Sequence, residues 1–374
     1  MGYSGSRRLR FTAHSAPVVW ALIPYGFEGD RLSAETYDNE STKTELATAF
    51  SELGLPWVWQ PVVLGSIEDI TAQMAASVKR RSTLAFNFCD GLDRDGMPGL
   101  LVVKALEEAG IPFTGSDSSF YGVSTHKLCM KSLFREHGVE TAPWEALPRT
   151  GPVQGVCERL GTPLFVKPDV SFASYGISLK SKVCSDGDIE ARRDELRRGE
   201  TASIFADGDI FVERFLAGDE YTVFVGGYWN CPDALWTLPP ARRCFAESIP
   251  APERFLSYDR YWGYYREESA PALGESFYRY ELVEGDPAEE LVDLAKRAFC
   301  AVAGHSYARV DIRRDADSGQ LSVLEVNANC GLSGDDQTST GSILQLMGWT
   351  FPDLLDRIIS QTLQRLEMQE VASA

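Results

Sequence analysis

Two short runs, Arg309-Val310-Asp311 and Glu325-Val326-Asn327, constrain this chain more than any other feature. Side chains alternate along an extended strand, so Arg309 and Asp311 share a face, as do Glu325 and Asn327. Residues 307–313 and 321–327 have strand character and flank a turn-rich segment at 315–320. A hairpin folded about residue 318 without a bulge sets 309 opposite 327 and 311 opposite 325. Two carboxylates and an amide oxygen then converge beside one guanidinium. Hard oxygen donors of this kind suit magnesium, above all where substrate phosphates complete the octahedron. A half-solvated hairpin laced by cross-strand ion pairs would show the same alternation, so other segments must decide.

At 374 residues the chain is long for one core, and two or three structural units are expected. Apolar residues make up 44%, which reads as globular, and no apolar run is long enough to imply a membrane partner. The net charge of −18 argues against nucleic acid, although a few basic residues focused in a cleft still bind phosphates. Eight cysteines include no Cys-x-x-Cys pair and four histidines show no zinc-ligand spacing, so reduced thiols in a cytoplasmic protein are expected. Residues 1–15 carry Arg7, Arg8 and Arg10 with no apolar stretch behind them, which reads as a frayed terminus rather than a signal peptide.

Strands are expected at 17–24, 57–64, 84–88 and 111–114, alternating with helices at 42–53, 67–78 and 98–109. That rhythm implies a parallel sheet covered by helices, with strand-end loops such as 87–96 facing a ligand crevice. A helix capped by Ser124 and running to His137 follows. Strands at 164–167, 210–214 and 220–226, a helix at 287–303 and an amphipathic helix at 352–369 complete the reading. The change from α/β alternation to an α+β mixture sets three units: 16–123, 124–206 and 207–374.

Lys167 ends an apolar strand just before Pro168, so its ammonium projects into whatever cleft the next loop covers. That loop, 169–176, carries hydroxyls and amides able to fold over phosphates. The ordered set now includes Phe86-Asn87 with Asp95-Gly96, the run 111–116, Lys127, Val166-Lys167-Pro168 and Val212-Glu213-Arg214-Phe215-Leu216. It continues through Glu220, Arg309-Val310-Asp311 and Leu324-Glu325-Val326-Asn327 before Gly331. Together these motifs resemble ATP-grasp enzymes of the D-alanine–D-alanine ligase type, over about residues 85–350.

The resemblance implies an ATP-grasp fold behind an N-terminal Rossmann-like, pre-ATP-grasp parallel-sheet domain, α/β and α+β in class. It implies ATP, with Lys127 and Lys167 on the phosphates, Glu213, Arg214, Phe215 and Leu216 as the adenine hinge, and Glu220 near the ribose. Asp311, Glu325 and Asn327 would hold Mg2+, two ions in number, with Mn2+ as the alternative. Arg309 would clamp the acyl phosphate, with Lys167 and Ser174 as the other catalytic groups, and Asn87, Gly331 and Asp336 would meet substrate. Lys131, one helical turn beyond Lys127, is expected at the surface.

Substrate positions depart from the type. Ser171-Phe172-Ala173-Ser174 stands where the ligases carry Glu-Gly-Ser-Ser, and Tyr25-Gly26-Phe27-Glu28 is a poor match to their N-terminal Gly-Gly signature. Asn329-Cys330-Gly331 replaces Ser-Pro-Gly, and Asp336 falls where a serine binds the second substrate's carboxylate. A carboxylate there favours a cationic or neutral amine. Tyr261 and Trp262, with Phe172 and Tyr175, either line a substrate wall or pack on their own domain.

The expected function is an ATP-dependent carboxylate–amine ligase acting through an acyl phosphate. Its partners would be a small-molecule acid and amine other than two D-alanines, and the resemblance suggests a homodimer. An ATP-grasp enzyme that modifies side chains of a larger peptide stays open, because cleft width is not legible. A non-catalytic nucleotide-binding protein is disfavoured by the intact set Arg309, Asp311, Glu325 and Asn327. A Rossmann oxidoreductase is disfavoured because no Gly-x-Gly-x-x-Gly follows the first strand.

Overall fold

The computed structural model describes residues 16–28, 31–33, 40–76, 83–91, 96–198, 208–266 and 268–373. Residues 1–15, the expected helix end at 77–78, and Asp95 lie outside them.

The first unit contains β1 (Val18–Pro24), a small antiparallel pair β2 (Gly26–Glu28) and β3 (Arg31–Ser33), and α1 (Glu40–Glu52). β4 (Trp57–Val62), α2 (Ile67–Ala76), β5 (Thr83–Asn87), α3 (Gly99–Glu108) and β6 (Phe113–Thr114) follow. β4, β1, β5 and β6 form one parallel sheet in that order. Every residue of β5 is buried, as a parallel strand covered on both faces requires. Chain order reverses between β1 and β5, so a crevice opens beyond their C-terminal ends, where Asn87 and residues 88–91 lie.

Where one helix was expected at 124–137, there are two: α4 (Ser118–Thr125) and α5 (Lys127–Glu136). The Asp117 side chain caps α4 by accepting from the Phe120 amide, and His126 breaks the run in an extended conformation. The break makes Lys127 the first residue of α5.

A second, antiparallel sheet contains β7 (Trp144–Ala146), β8 (Leu164–Pro168), β9 (Lys182–Val183) and β10 (Ile210–Arg214), ordered β7-β10-β8-β9. α6 (Val156–Leu160) and α7 (Asp186–Arg198) pack on it through Val156, Ile189 and Leu196. β10 lies beyond the expected break at 206/207 yet hydrogen-bonds to β7 and β8.

The third sheet uses β11 (Glu220–Tyr228), β12 (Trp236–Thr237) and β13 (Ala241–Phe245). After the short α8 (Tyr258–Tyr261) come β14 (Tyr278–Leu282), α9 (Asp286–Ala301), β15 (His305–Arg314) and β16 (Leu321–Ala328). The sheet runs β14-β13-β11-β15-β16, with β12 on β11. One face, carrying Val223, Val225, Val310 and Ile312, is buried under Leu291, Leu294 and Phe299 of α9. α10 (Ser339–Met347) and α11 (Phe351–Ser373) close the chain. Leu354, Leu355 and Ile358 of α11 join Phe50 of α1 and Phe86 of β5 in one core, which ties the last helix to the first sheet.

Candidate active site

The β15–β16 hairpin pairs Arg309 with Asn327 and Asp311 with Glu325, as read from the sequence, but by a different route. Nearer the turn, Ile312 pairs with Val323 and Arg314 with Leu321. Continued without interruption, that register would put Leu324 opposite Asp311 and turn Glu325 and Asn327 to the wrong face. A bulge at Leu324 absorbs one residue and restores them. The four groups share a face because of the bulge that the sequence reading had set aside.

Asp311 is the hub. It accepts from Arg309 Nε (2.9 Å) and Nη2 (2.8 Å), from Asn327 Nδ2 (3.0 Å) and from Thr222 Oγ1 of β11 (3.1 Å). Burial works against the Arg309 charge, yet Asp311 more than compensates and holds the guanidinium protonated. Burial likewise pushes the Glu325 carboxyl up, but Lys127, Lys167 and Arg309 outweigh it and keep that carboxyl below its ordinary value. Lys127 Nζ lies 3.4 Å from Glu325 and donates to the Ser171 carbonyl at 3.0 Å, joining α5 to the hydroxyl-rich loop. Asp169 anchors the same loop from below, accepting the Leu128 amide at 2.7 Å and meeting His126 Nδ1 at 2.8 Å. Ala173 and Ser174 take left-handed conformations at φ 47° and 59°, a strained tip of the kind found at ligand clamps.

Lys131 is not at the surface. Its side chain is 1% exposed, and its Nζ lies 2.5 Å from Glu213 Oε2. The other oxygen of Glu213 meets Lys167 Nζ at 2.6 Å. A helical position one turn from Lys127 reads as solvent-facing, but here β10 and β8 of the second sheet close over it. Burial raises the Glu213 carboxyl, yet the two lysines dominate and bring it down to about 2.

The expected hinge is partly committed to the fold. The Arg214 and Phe215 amides donate to the Pro143 and Pro163 carbonyls, while the Arg214 guanidinium sits 3.8 Å from Asp315 and from Asp317. Phe215 stacks on Phe165 and Leu216 is buried. Glu220 is clamped by Arg243 and by Arg313, the latter at 3.3 Å, so a ribose would share it with two guanidiniums.

The residues expected to meet substrate join the first sheet to the loop after β16. Asn87 is fully buried, with its Oδ1 accepting from the Cys89 amide at 3.0 Å and its Nδ2 without a partner among the described residues. Asn329, not singled out individually by the sequence reading, accepts the Ser116 amide at 2.8 Å. A Cβ on Gly115 would meet that Asn329 oxygen at 2.5 Å, and φ is +94° there, so only glycine fits. Asp90 was also missed: half-buried, its carboxyl raised by desolvation, it accepts the Tyr121 hydroxyl at 2.7 Å. Gly331 and Asp336 lie on the exposed loop, where the Asp336 carboxylate takes a hydrogen bond from Gln337 at 2.8 Å.

Among the described residues no group of three or more His, Cys, Asp or Glu converges. Asp311 and Glu325 supply two register-paired carboxylates, and half a turn of the Asn327 amide would add an oxygen. That set is short for an all-protein cage but fits magnesium completed by phosphate oxygens.

A helix-covered parallel sheet, a second sheet bearing lysines, and a third bearing paired carboxylates define an ATP-grasp ligase architecture. Residues 133–360 match the family described as D-ala D-ala ligase C-terminus. The D-alanine–D-alanine ligase of Chromohalobacter salexigens is 33% identical over 272 residues, 72% of this chain and 74% of that one. D-alanine–D-alanine ligase B of Xanthomonas campestris is 28% identical, covering 79% of this chain and 83% of its own. The Bacillus anthracis D-alanine–D-alanine ligase, solved in complex with ATP, has the same fold. Its TM-score is 0.66 at 20% identity, over 95% of this chain and 100% of that one. The chain belongs to the D-alanine–D-alanine ligase family.

Proposed function

We propose that this ATP-dependent carboxylate–amine ligase activates its acid as an acyl phosphate and passes it to an amine lacking the carboxylate of D-alanine. The observation that carries the reading is the shared face of Arg309, Asp311, Glu325 and Asn327, with Lys127 beside Glu325. A carboxylate is a poor electrophile, and phosphoryl transfer gives it a leaving group before the amine attacks. Positioning and charge neutralisation supply most of that catalysis. Lys127 and Lys167 would take ATP phosphate oxygens, Glu213 to Leu216 would border the adenine, and Glu220 would face the ribose. Asp311, Glu325 and Asn327 would hold Mg2+, or Mn2+ in its place, which when bound neutralises charge on the phosphates. Arg309 would steady the acyl phosphate and the later oxyanion, with Ser174 and its loop folded over the transferring group. Asn87 and Gly331 would border the acid.

Asp336 supports the choice of amine, since a carboxylate at the acceptor end repels another. A homodimer in the cytoplasm completes the reading; the structure's eight free thiols agree with a reducing compartment. The test is phosphate release from ATP and magnesium across a panel of acids and amines. Release that requires both an acid and an amine supports the ligase; release with neither, or with the acid alone, speaks against it. Asp336→Ser should shift preference toward amines bearing a carboxylate, and unchanged selectivity would refute the charge argument.

A further inference from the structure

The nucleotide reading gives the buried Lys131 no task. Lys131 is fully enclosed, and its ammonium reaches the expected hinge only through the Glu213 carboxylate. It meets Glu213 at 2.5 Å and donates to Thr141 Oγ1 at 2.9 Å, and Thr141 donates in turn to the Val323 carbonyl of β16 at 2.8 Å. The Phe211 ring lies 5.9 Å from the same ammonium. On its far side Glu213 holds Lys167, whose Nζ is 2.6 Å away. Three strands of two sheets, helix α5 and the loop before β7 thus meet in a line: Val323 carbonyl, Thr141 hydroxyl, Lys131, Glu213, Lys167.

Charge arithmetic gives the line a purpose. A buried glutamate facing one lysine makes a neutral pair, and a phosphate would then compete with Glu213 for Lys167. A second lysine on the other oxygen satisfies the carboxylate independently and leaves the line with one net positive charge at its open end. Burying a charge is costly unless it is paired, so Glu213 without Lys131 would draw all its compensation from Lys167. We infer that Lys131 is a positioning residue for nucleotide binding: by neutralising Glu213 from behind, it frees the Lys167 ammonium for phosphate. The inference rests on the nucleotide reading above. Burial lowers Lys131 despite Glu213, whereas at Lys167 the attraction of Glu213, Glu325 and Glu220 overcomes burial and raises it.

The experiment compares ADP with adenosine on the full chain by calorimetry, in wild type, Lys131→Met and the double variant Lys131→Met/Glu213→Gln. Adenosine shares the base and ribose but has no phosphate. Lys131→Met should weaken ADP roughly 10- to 100-fold, the scale of one charge-assisted contact, and adenosine less than about twofold. The double variant has no unbalanced carboxylate, carries the test should the single one fail to fold, and should regain most of the preference for ADP. Equal losses for both ligands would mean that Lys131 only shapes the hinge, and would overturn the inference. So would a double variant that keeps its adenosine affinity but still lacks the ADP preference. A wild-type chain that does not prefer ADP would overturn the nucleotide reading and the relay together, whereas failure of the relay alone appears only in the variants.

Discussion

Arg309 reaches Asp311 through both Nε and Nη2, and that bidentate grip fixes the plane of the guanidinium against the strand. Lysine at 309 would keep the charge but lose the fork. Arg309→Lys should lower kcat by roughly 10²- to 10³-fold, the usual cost of one oxyanion donor, with KM for ATP within about twofold. Steady-state kinetics separate the two. The paired carboxylates were legible because a two-residue period is enough to place them. Lys131 was not, because its partner arrives from a distant strand and helical spacing alone puts it on an outward stripe. Glu213 adds a pH dependence. Its folded pKa of about 2 lies below the ordinary 4.5, so its stabilising share is present above pH 4.5 and lost as pH falls toward 2. Urea midpoints across that window should fall more steeply for wild type than for Lys131→Met/Glu213→Gln. Parallel slopes would contradict the buried ion pair.

The hairpin makes the same point for elements. Strand period and the turn were visible in the sequence, and the pairing read from them holds at 309/327 and 311/325. Its geometric premise does not hold, since the register depends on a bulge at Leu324 that no residue type advertises. Glu325→Leu/Asn327→Leu should leave the strands and the bulge in place while removing the carboxylate and the amide beside Asp311. Far-UV circular dichroism should then stay close to wild type, while phosphate release drops to background and magnesium no longer raises the melting temperature with ADP. Retained activity would show that these two side chains do not hold the ion. The parallel sheet was read almost strand for strand, because apolar runs between helical stretches leave few alternatives. The α4–α5 break was missed because His126 carries no breaker signature; the start of the second helix is held by Asp169, which accepts the Lys127 and Leu128 amides from the loop after β8.

At the scale of the molecule, the first sheet and the third meet where substrate would bind, and α1 supplies a direct tie. Glu45 accepts from the Gly334 amide at 2.5 Å and from the Ser333 hydroxyl at 3.1 Å, holding the loop that carries Gly331 and Asp336. No sequence pattern announces this contact, because it joins segments far apart in the chain through backbone as well as side chain. Burial raises the Glu45 carboxyl above its ordinary value, more than the two hydrogen bonds lower it. A carboxyl raised on folding contributes stability below its unfolded pKa of 4.5, and that share is lost as pH rises through the folded value. At pH 7 the ionised group is therefore held at a cost to the fold. Glu45→Gln should be at least as stable as wild type at pH 7 and should lose that advantage below about pH 4.5, read from urea midpoints. The amide keeps only one acceptor oxygen, so the loop loosens. KM for the amine should rise roughly 3- to 10-fold, the scale of a hydrogen bond, with KM for ATP unchanged. A variant that is less stable at neutral pH and unaltered toward its amine would mean that Glu45 braces the fold and has no part in shaping the acceptor loop.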